Sequence, residues 1–368
     1  MQEKTQVNKI IYLDAAATYQ KSDAVIQKMA DFLHNDYANA GRGVCERAVK
    51  VDDMIAQARR DVAKFIGATD RQVVFVNGTT DAMNMIAQML KQKNVRTVAV
   101  SDLDHHSARL PVENIGATVV VCPLDDKYNI DVDNIPNADV LLITAMSNVI
   151  GVPQDVRAII SNAKKQNPDV ITVVDAAQYV VHNQIDVTEW GCDFLCWSGH
   201  KIGADTGVGV MFIKNPDDFN PVQFGGGMVL RVDENSSVWN TAPDKFEAGT
   251  LPLTQIIGLP VAIDALKKNR PDHNLIKYMY AELSKLDGVR IITQPDAAMV
   301  SFVVDGMHAL DFGALVGVRG LCVRVGNMCA SWICKKLGID GCVRISIGGY
   351  NTMADAQAAI QIIKDVIK

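Results

Sequence analysis

From residue 72 to residue 174 the chain alternates short β-branched runs with helix-length amphipathic segments, and few architectures can absorb that alternation. Runs at Gln72–Val76, Thr97–Val100, Thr118–Cys122, Val140–Thr144 and Val170–Val174 are separated by helical patterns. One continues through Met83, Ile86, Ala87 and Leu90, and others cover His106–Ile115 and Asp155–Gln166. Strand, helix and strand in repetition predict an α/β fold with a mostly parallel sheet, right-handed crossovers and helices on both faces. Such a sheet collects its ligand at the carboxyl ends of the strands. The residues that follow each run are therefore the ones to read for chemistry.

Two strand ends stand out. Val173-Val174 delivers Asp175, and the apolar run Phe194–Trp197 delivers Ser198-Gly199-His200-Lys201. A lysine that can form a Schiff base, with an aspartate facing a pyridinium nitrogen, is the arrangement a pyridoxal phosphate site needs. The plainer alternative is a strand-end cap and a solvated lysine, and it loses ground as partners accumulate at the other strand ends. After Val76 comes Asn77-Gly78-Thr79-Thr80, a glycine turn into a helix, which is either a phosphate cradle at a helix N-terminus or an ordinary N-cap. After Val100, His105 could lie flat on a cofactor ring or simply start a helix in solvent. After Thr144, Asn148 could hydrogen-bond a phenolic oxygen, as could Gln178 after Asp175. In the loop ahead of the helix expected at Val51–Ile66, Arg42 stands between Gly41 and Gly43, with room for a ligand carboxylate.

At 368 residues the chain exceeds one core, so two lobes are expected. The second half reads as helices at Thr254–Lys268 and Asn274–Leu286, strands at Val289–Ile292, Met299–Val304, Cys322–Val325 and Val343–Ser346, and helices at His308–Val316 and Met353–Ile367. We expect a large lobe over 18–255 and a small α/β lobe built from 1–17 and 256–368. A net charge of -6 and a pI near 5.7 provide no electrostatic footprint for nucleic acid or anionic membrane. The polar start lacks a signal-peptide core and no run is long enough to span a bilayer, so a cytoplasmic location is the expectation. The eight cysteines are scattered and read as reduced thiols. Cys192 and Cys196 fall in one strand-like run, where alternation would put both on one face as small core hydrophobes, with no zinc or other metal site completed around them. Cys329, in Val323-Arg324-Val325-Gly326-Asn327-Met328-Cys329-Ala330, sits in a loop between a strand and a helix. It is either an exposed nucleophile or a buried inert thiol.

Taken together, Gly78-Thr79-Thr80, Asp104-His105-His106, Ser147-Asn148-Val149-Ile150-Gly151, Asp175-Ala176-Ala177-Gln178, Ser198-Gly199-His200-Lys201 and Phe246-Glu247-Ala248-Gly249-Thr250 give the chain its resemblance. In order and spacing it resembles the class V aminotransferase-like, fold-type I pyridoxal phosphate enzymes, and within them the group II cysteine desulfurases and selenocysteine lyases. The likeness runs from Tyr12-Leu13-Asp14 to Ile347-Gly348-Gly349-Tyr350-Asn351-Thr352. It implies that Lys201 holds pyridoxal 5′-phosphate, Asp175 pairs with the ring nitrogen, His105 stacks on the ring, and Asn148 and Gln178 contact its oxygen. Thr79, Thr80, Ser198 and His200 would bind the phosphate, and Thr250 would reach the phosphate of a neighbouring subunit, which implies a homodimer. Phe224 through Asn240 looks like the interface hairpin of these enzymes.

The same resemblance implies that Cys329 accepts sulfur from L-cysteine as a persulfide, leaving L-alanine and passing the sulfur to an acceptor protein. Arg344 would hold the substrate carboxylate, with Arg42, Arg324 and Asn148 as further substrate contacts. The chain departs from the branch where Gly41-Arg42-Gly43-Val44-Cys45 replaces His-Arg-Gly-x-His and where Asn327-Met328 replaces His-His. Alternatives are a selenocysteine lyase or C–S β-lyase, neither of which needs Cys329, and a catalytically degenerate scaffold or sulfur-relay paralogue. Cys334 could be a resolving thiol or a packing residue.

Overall fold

The computed structural model describes residues 10–41 and 43–368. After the extended pair Ile11–Tyr12 (β1), seven strands form one sheet: Val73–Val76 (β2), Thr97–Val100 (β3), Thr118–Val121 (β4), Val140–Thr144 (β5), Ile171–Asp175 (β6), Phe194–Ser198 (β7) and Gly209–Ile213 (β8). Their spatial order is β2-β8-β7-β6-β5-β3-β4. The five strands from β7 to β4 are parallel, as the alternation predicts. β8, which the sequence reading did not assign as a strand, is antiparallel to both its neighbours.

Strict alternation of apolar side chains makes both faces of the central strands dry, while the edge strand β4 is partly exposed. Val73, Phe75, Leu141, Ile143, Val174, Leu195 and Trp197 enter one core, while Val74, Val76, Leu142, Val173, Phe194 and Cys196 enter the other. Each fully buried Val or Leu contributes about 1.5–3 kcal/mol, and a one-residue slip would exchange every member of the two sets. Strand ends are therefore held in register, Thr144 beside Asp175 and Asp175 beside Cys196.

Next come a hairpin of Val229–Val232 (β9) and Ser237–Trp239 (β10), and then the strands of the small lobe: Val289–Ile291 (β11), Val300–Val304 (β12), Leu321–Cys322 (β13), Arg324–Gly326 (β14) and Cys342–Ile345 (β15). β11, β12, β15 and β14 make an antiparallel sheet in that order. β13 leaves that sheet to pair in parallel with β1, so the single run expected at Cys322–Val325 is two strands in two sheets. The third core collects Ile11 and Leu13 together with residues from Leu275 onward.

Two expectations need correction. The helix Leu253–Lys268 buries Leu253, Ile256, Leu259, Ile263 and Leu266 in the large-lobe core, not in that of the small lobe. Its composition is apolar nearly all round, so periodicity could not say which neighbour it covers. Cys192 and Cys196 face different cores: β7 begins only at Phe194, and the bend at Asp193 breaks the alternation between them. Both are buried thiols, and burial raises the pKa of each. Among the described residues no helix is long and apolar enough to cross a membrane.

Candidate active site

The carboxyl ends of β5, β6 and β7 open into a cavity of about 240 Å³ lined by Thr79, Thr80, His105, Asn148, Asp175, Gln178, Ser198, His200 and Lys201. Each cofactor-binding residue named from the sequence except Thr250 is thus on one wall, joined by Thr144, Met146, Ser107 and Ala177. At one end the helix Thr79–Gln92 begins after Gly78, whose φ of 154° only glycine holds without strain. A Cβ at Gly78 would stand 3.1 Å from Ser198 Oγ, closing the cradle. No side chain caps this helix, so the N-cap alternative for the threonines is not what forms. Instead Ser198 Oγ accepts from the Thr79 N–H at 2.8 Å and lies 2.8 Å from Thr79 Oγ1. The arrangement is hydroxyls around a positive helix end, which suits a phosphate.

Lys201 is on the short 3-10 turn Gly199–Ile202 directly after β7. Its Nζ donates to the Ala16 carbonyl at 2.5 Å, and burial, reinforced by the Arg344 charge, brings its pKa down to about 8. Asp175 ends β6 with 5% exposure and accepts the Ala177 N–H at 2.9 Å. Burial pushes its pKa up to about 6, against the opposing pull of Lys201. A buried carboxylate in that state is stabilised by a cation, which a protonated pyridine nitrogen would be. Buried amide oxygens of Asn148 and Gln178 have no hydrogen-bond partner among the described residues. Their nitrogens are occupied, Asn148 Nδ2 by the Met328 carbonyl at 2.7 Å and Gln178 Nε2 by the Ala16 carbonyl at 2.8 Å. Orphaned polar atoms facing a small cavity mark a place for a polar ligand.

His105 caps the helix His106–Glu113: its Nδ1 accepts from the Ser107 N–H at 3.1 Å and lies 2.7 Å from Ser107 Oγ. Burial first, then the Lys201 charge, lowers its pKa to about 4, so the ring is neutral near pH 7. His200, likewise depressed to about 4 by burial, has Nδ1 at 3.3 Å from Thr18 Oγ1.

The arginines come from the small lobe. Arg324 on β14 and Arg344 on β15 are direct cross-strand partners, an arrangement of like charges that would repel. Asp14 relieves it, with Oδ1 3.0 Å from Arg344 Nη2 and Oδ2 2.9 Å from Arg324 Nη2. Arg344 is 2% exposed, donates from Nη1 to the Asn148 carbonyl at 2.9 Å, and leaves its Nε without a partner among the described residues. Sequence reading missed Asp14, because nothing local to Tyr12-Leu13-Asp14 signals a partner 330 positions away. Arg42 lies outside the described residues.

Cys329 is exposed, in a turn from Asn327 to Ala330 that the Met328 carbonyl ties to Asn148. Cys334 is buried and its Sγ approaches the Asn327 carbonyl at 3.8 Å. Thr250 is in a different place, a groove of about 1210 Å³ shared with Gly226, Gly227, Leu230 and Gly41.

Residues 11–359 match the family described as Aminotransferase class-V. A "probable cysteine desulfurase" of Pseudomonas putida is 34% identical over 94% of this chain and 91% of its own length. Among solved structures, a cysteine desulfurase of Thermococcus onnurineus superposes with a TM-score of 0.93 at 30% identity, covering 97% of this chain and 94% of that one. The cysteine desulfurase CsdA (S-sulfonic acid) of Escherichia coli superposes with a TM-score of 0.89, also at 30% identity and with the same coverage.

Proposed function

This chain belongs to the class-V aminotransferase family, and on that premise we propose that it is a pyridoxal 5′-phosphate-dependent cysteine desulfurase. The observation that carries the reading is the docking of the Cys329 turn on Asn148, a residue that shares its cavity with Lys201 and Asp175. Lys201 Nζ would hold the cofactor covalently, Asp175 its ring nitrogen, and Thr79, Thr80, Ser198 and His200 its phosphate. When bound, the cofactor supplies an electron sink for the pair released when a substrate Cα–H bond breaks.

Arg344 is the group that orients the substrate: a planar fork with an unused Nε matches a carboxylate bidentately, and its burial strengthens the pair. Lys201, whose pKa burial brings to about 8, can release and regain a proton near neutral pH and would take the Cα proton at Nζ. A Cys329 thiolate then attacks the substrate sulfur. The S–S bond of a persulfide forms, the Cβ–S bond breaks and its electron pair takes up a proton at Cβ, and the proton taken up at Lys201 Nζ returns to Cα to complete L-alanine. Sulfur is oxidised and Cβ reduced, so no outside oxidant is needed.

The Thr250 groove supports a homodimer. Thr250 does not line the cavity of its own chain, and the neighbouring hairpin leaves Leu230 and Val232 largely exposed, a face that fits a second copy. The deciding experiment compares alanine and persulfide formation from L-cysteine under reductant in the wild type and in Cys329→Ala. Loss of both products with unchanged cofactor absorption is the expected result. Equal alanine in both proteins would overturn the reading in favour of a lyase acting without this thiol. Light scattering of the holoprotein at twice the chain mass is the expected oligomeric result.

A further inference from the structure

The Cys329 turn is built from residues that do not favour its shape. Met328 and Cys329 have φ of 55° and 53°, consecutive left-handed positions at side chains larger than glycine, and the Ala330 N–H closes the turn on the Asn327 carbonyl at 2.9 Å. Left-handed backbone at such side chains is strained, so the turn persists only if its surroundings over-determine it. Part of the restraint comes from Asn148, which donates to the Met328 carbonyl, and the larger set of contacts comes from the first turns of the helix His106–Glu113 in the large lobe.

The His106 N–H donates to the Cys329 carbonyl at 2.8 Å. The His106 Nε2 accepts from the Ser331 N–H at 3.3 Å and lies 3.0 Å from Ser331 Oγ. Asn327 Nδ2 donates to that same hydroxyl at 3.3 Å, while Asn327 Oδ1 accepts from the Cys329 N–H at 3.1 Å. Trp332 packs edge-on against the His106 ring at 5.2 Å and lies under the Arg109 guanidinium at 4.3 Å. Arg109 is itself held by Glu113 at 2.7 Å. Asn327 thus closes a ring of contacts in which Ser331 is the hub and His106 the anchor. The neighbouring residue, His105, lines the cavity of Lys201. Cavity wall and nucleophile turn are therefore set by adjacent residues of one helix start.

We propose that His106 is a positioning residue that holds the Cys329 turn in its attacking geometry through Ser331, from outside the loop. This rests on the reading of Cys329 as the sulfur acceptor. The chain has Asn327-Met328 where its resemblance leads one to expect two histidines, and an imidazole reaches the turn from the large lobe instead.

The test uses the holoenzyme, with His106→Ala, His106→Gln and Ser331→Ala, measuring three quantities. The first is kcat and KM for L-cysteine, the second the visible absorption of the lysine-bound cofactor, and the third the rate at which iodoacetamide labels Cys329. In His106→Ala, kcat should fall by about tenfold to a hundredfold, as a nucleophile misplaced by about 1 Å would. KM and cofactor absorption should hold, and labelling of Cys329 should quicken severalfold as the turn is released. Glutamine, whose amide oxygen reaches toward the Nε2 position, should restore most of kcat, and Ser331→Ala should reproduce the alanine defect in milder form. Unchanged kcat and labelling in His106→Ala would overturn the proposal. So would a loss of kcat that tracks loss of cofactor absorption, because His106 would then serve the cavity and not the turn. Labelling reads the turn directly, so it answers even if Cys329→Ala proves as active as the wild type and the desulfurase reading itself fails.

Discussion

The cavity wall and the nucleophile turn are made in opposite ways. The wall is the end of a sheet: Asp175, Ser198 and Lys201 are placed by β6 and β7, whose every residue from Val173 to Trp197 within those strands is buried. Their positions follow from strand register, which the two cores enforce. The turn is not part of a strand. Cys329 is exposed and its backbone is strained, and what holds the turn is the burial of Met328 and Ala330 on either side together with hydrogen bonds to another lobe. A rigid wall would suit groups that shift the acidity of a bound molecule, and on the proposed function a hydrogen-bonded turn would suit a thiol that attacks inside and then presents sulfur outside. The difference teaches that the acid–base half of the site should tolerate little change, while the sulfur half should be tunable.

The sharpest break in that comparison is Lys201→Ala, which should lower alanine formation by about 10²–10⁴-fold and abolish the visible cofactor band, checked by absorption and product assay. Asp175→Asn should cost about a hundredfold in kcat, the scale of removing one preorganised charge. It also carries a pH signature in the cofactor-free protein. The carboxyl of Asp175 is raised to about 6, so its contribution to stability is present below the ordinary carboxylate pKa and is lost as pH rises through 6. Thermal melts of the cofactor-free wild type should therefore lose stability across that window, and Asp175→Asn should lose less. Arg344→Lys should raise the KM for L-cysteine about tenfold, the loss of one charge-assisted hydrogen bond, with kcat less affected. The rate at which the cofactor-free protein captures added pyridoxal phosphate should rise with a midpoint near pH 8, where Lys201 loses its proton, well below an ordinary lysine. Smallest of all, Cys45→Ser, at an exposed helix start, should leave kcat and KM unchanged within about twofold.

The wall was legible in the sequence because its logic is local. A β-branched run followed by Asp175, or an apolar run followed by Ser198-Gly199-His200-Lys201, announces both the strand and what stands at its end. The turn was legible only in part: Cys329 could be placed in a loop, but not its left-handed backbone, nor His106 and Asn148 as its anchors, since these contacts join distant segments. The reversed strand β8 escaped for a related reason. Gly209–Ile213 is a short apolar run whose direction depends on pairing with β2 and β7, and periodicity carries no direction. The counter-charge of Asp14 became visible only when β14 and β15 set Arg324 opposite Arg344.

Asp14 has a further consequence, for the order in which the protein comes into being. It bonds Arg344 across 330 positions, and the Ala16 carbonyl two residues on receives Lys201. While the chain is being made, the seven-stranded sheet can collapse on sequence already synthesised, yet β1 waits for β13, and Asp14 waits for its second arginine until the last strand, β15, has emerged. Contacts of such long range form slowly and late. A nascent chain can thus own a finished cavity wall well before it owns the arginine pair proposed to hold substrate, and that pair is in place only when both ends of the described chain have met.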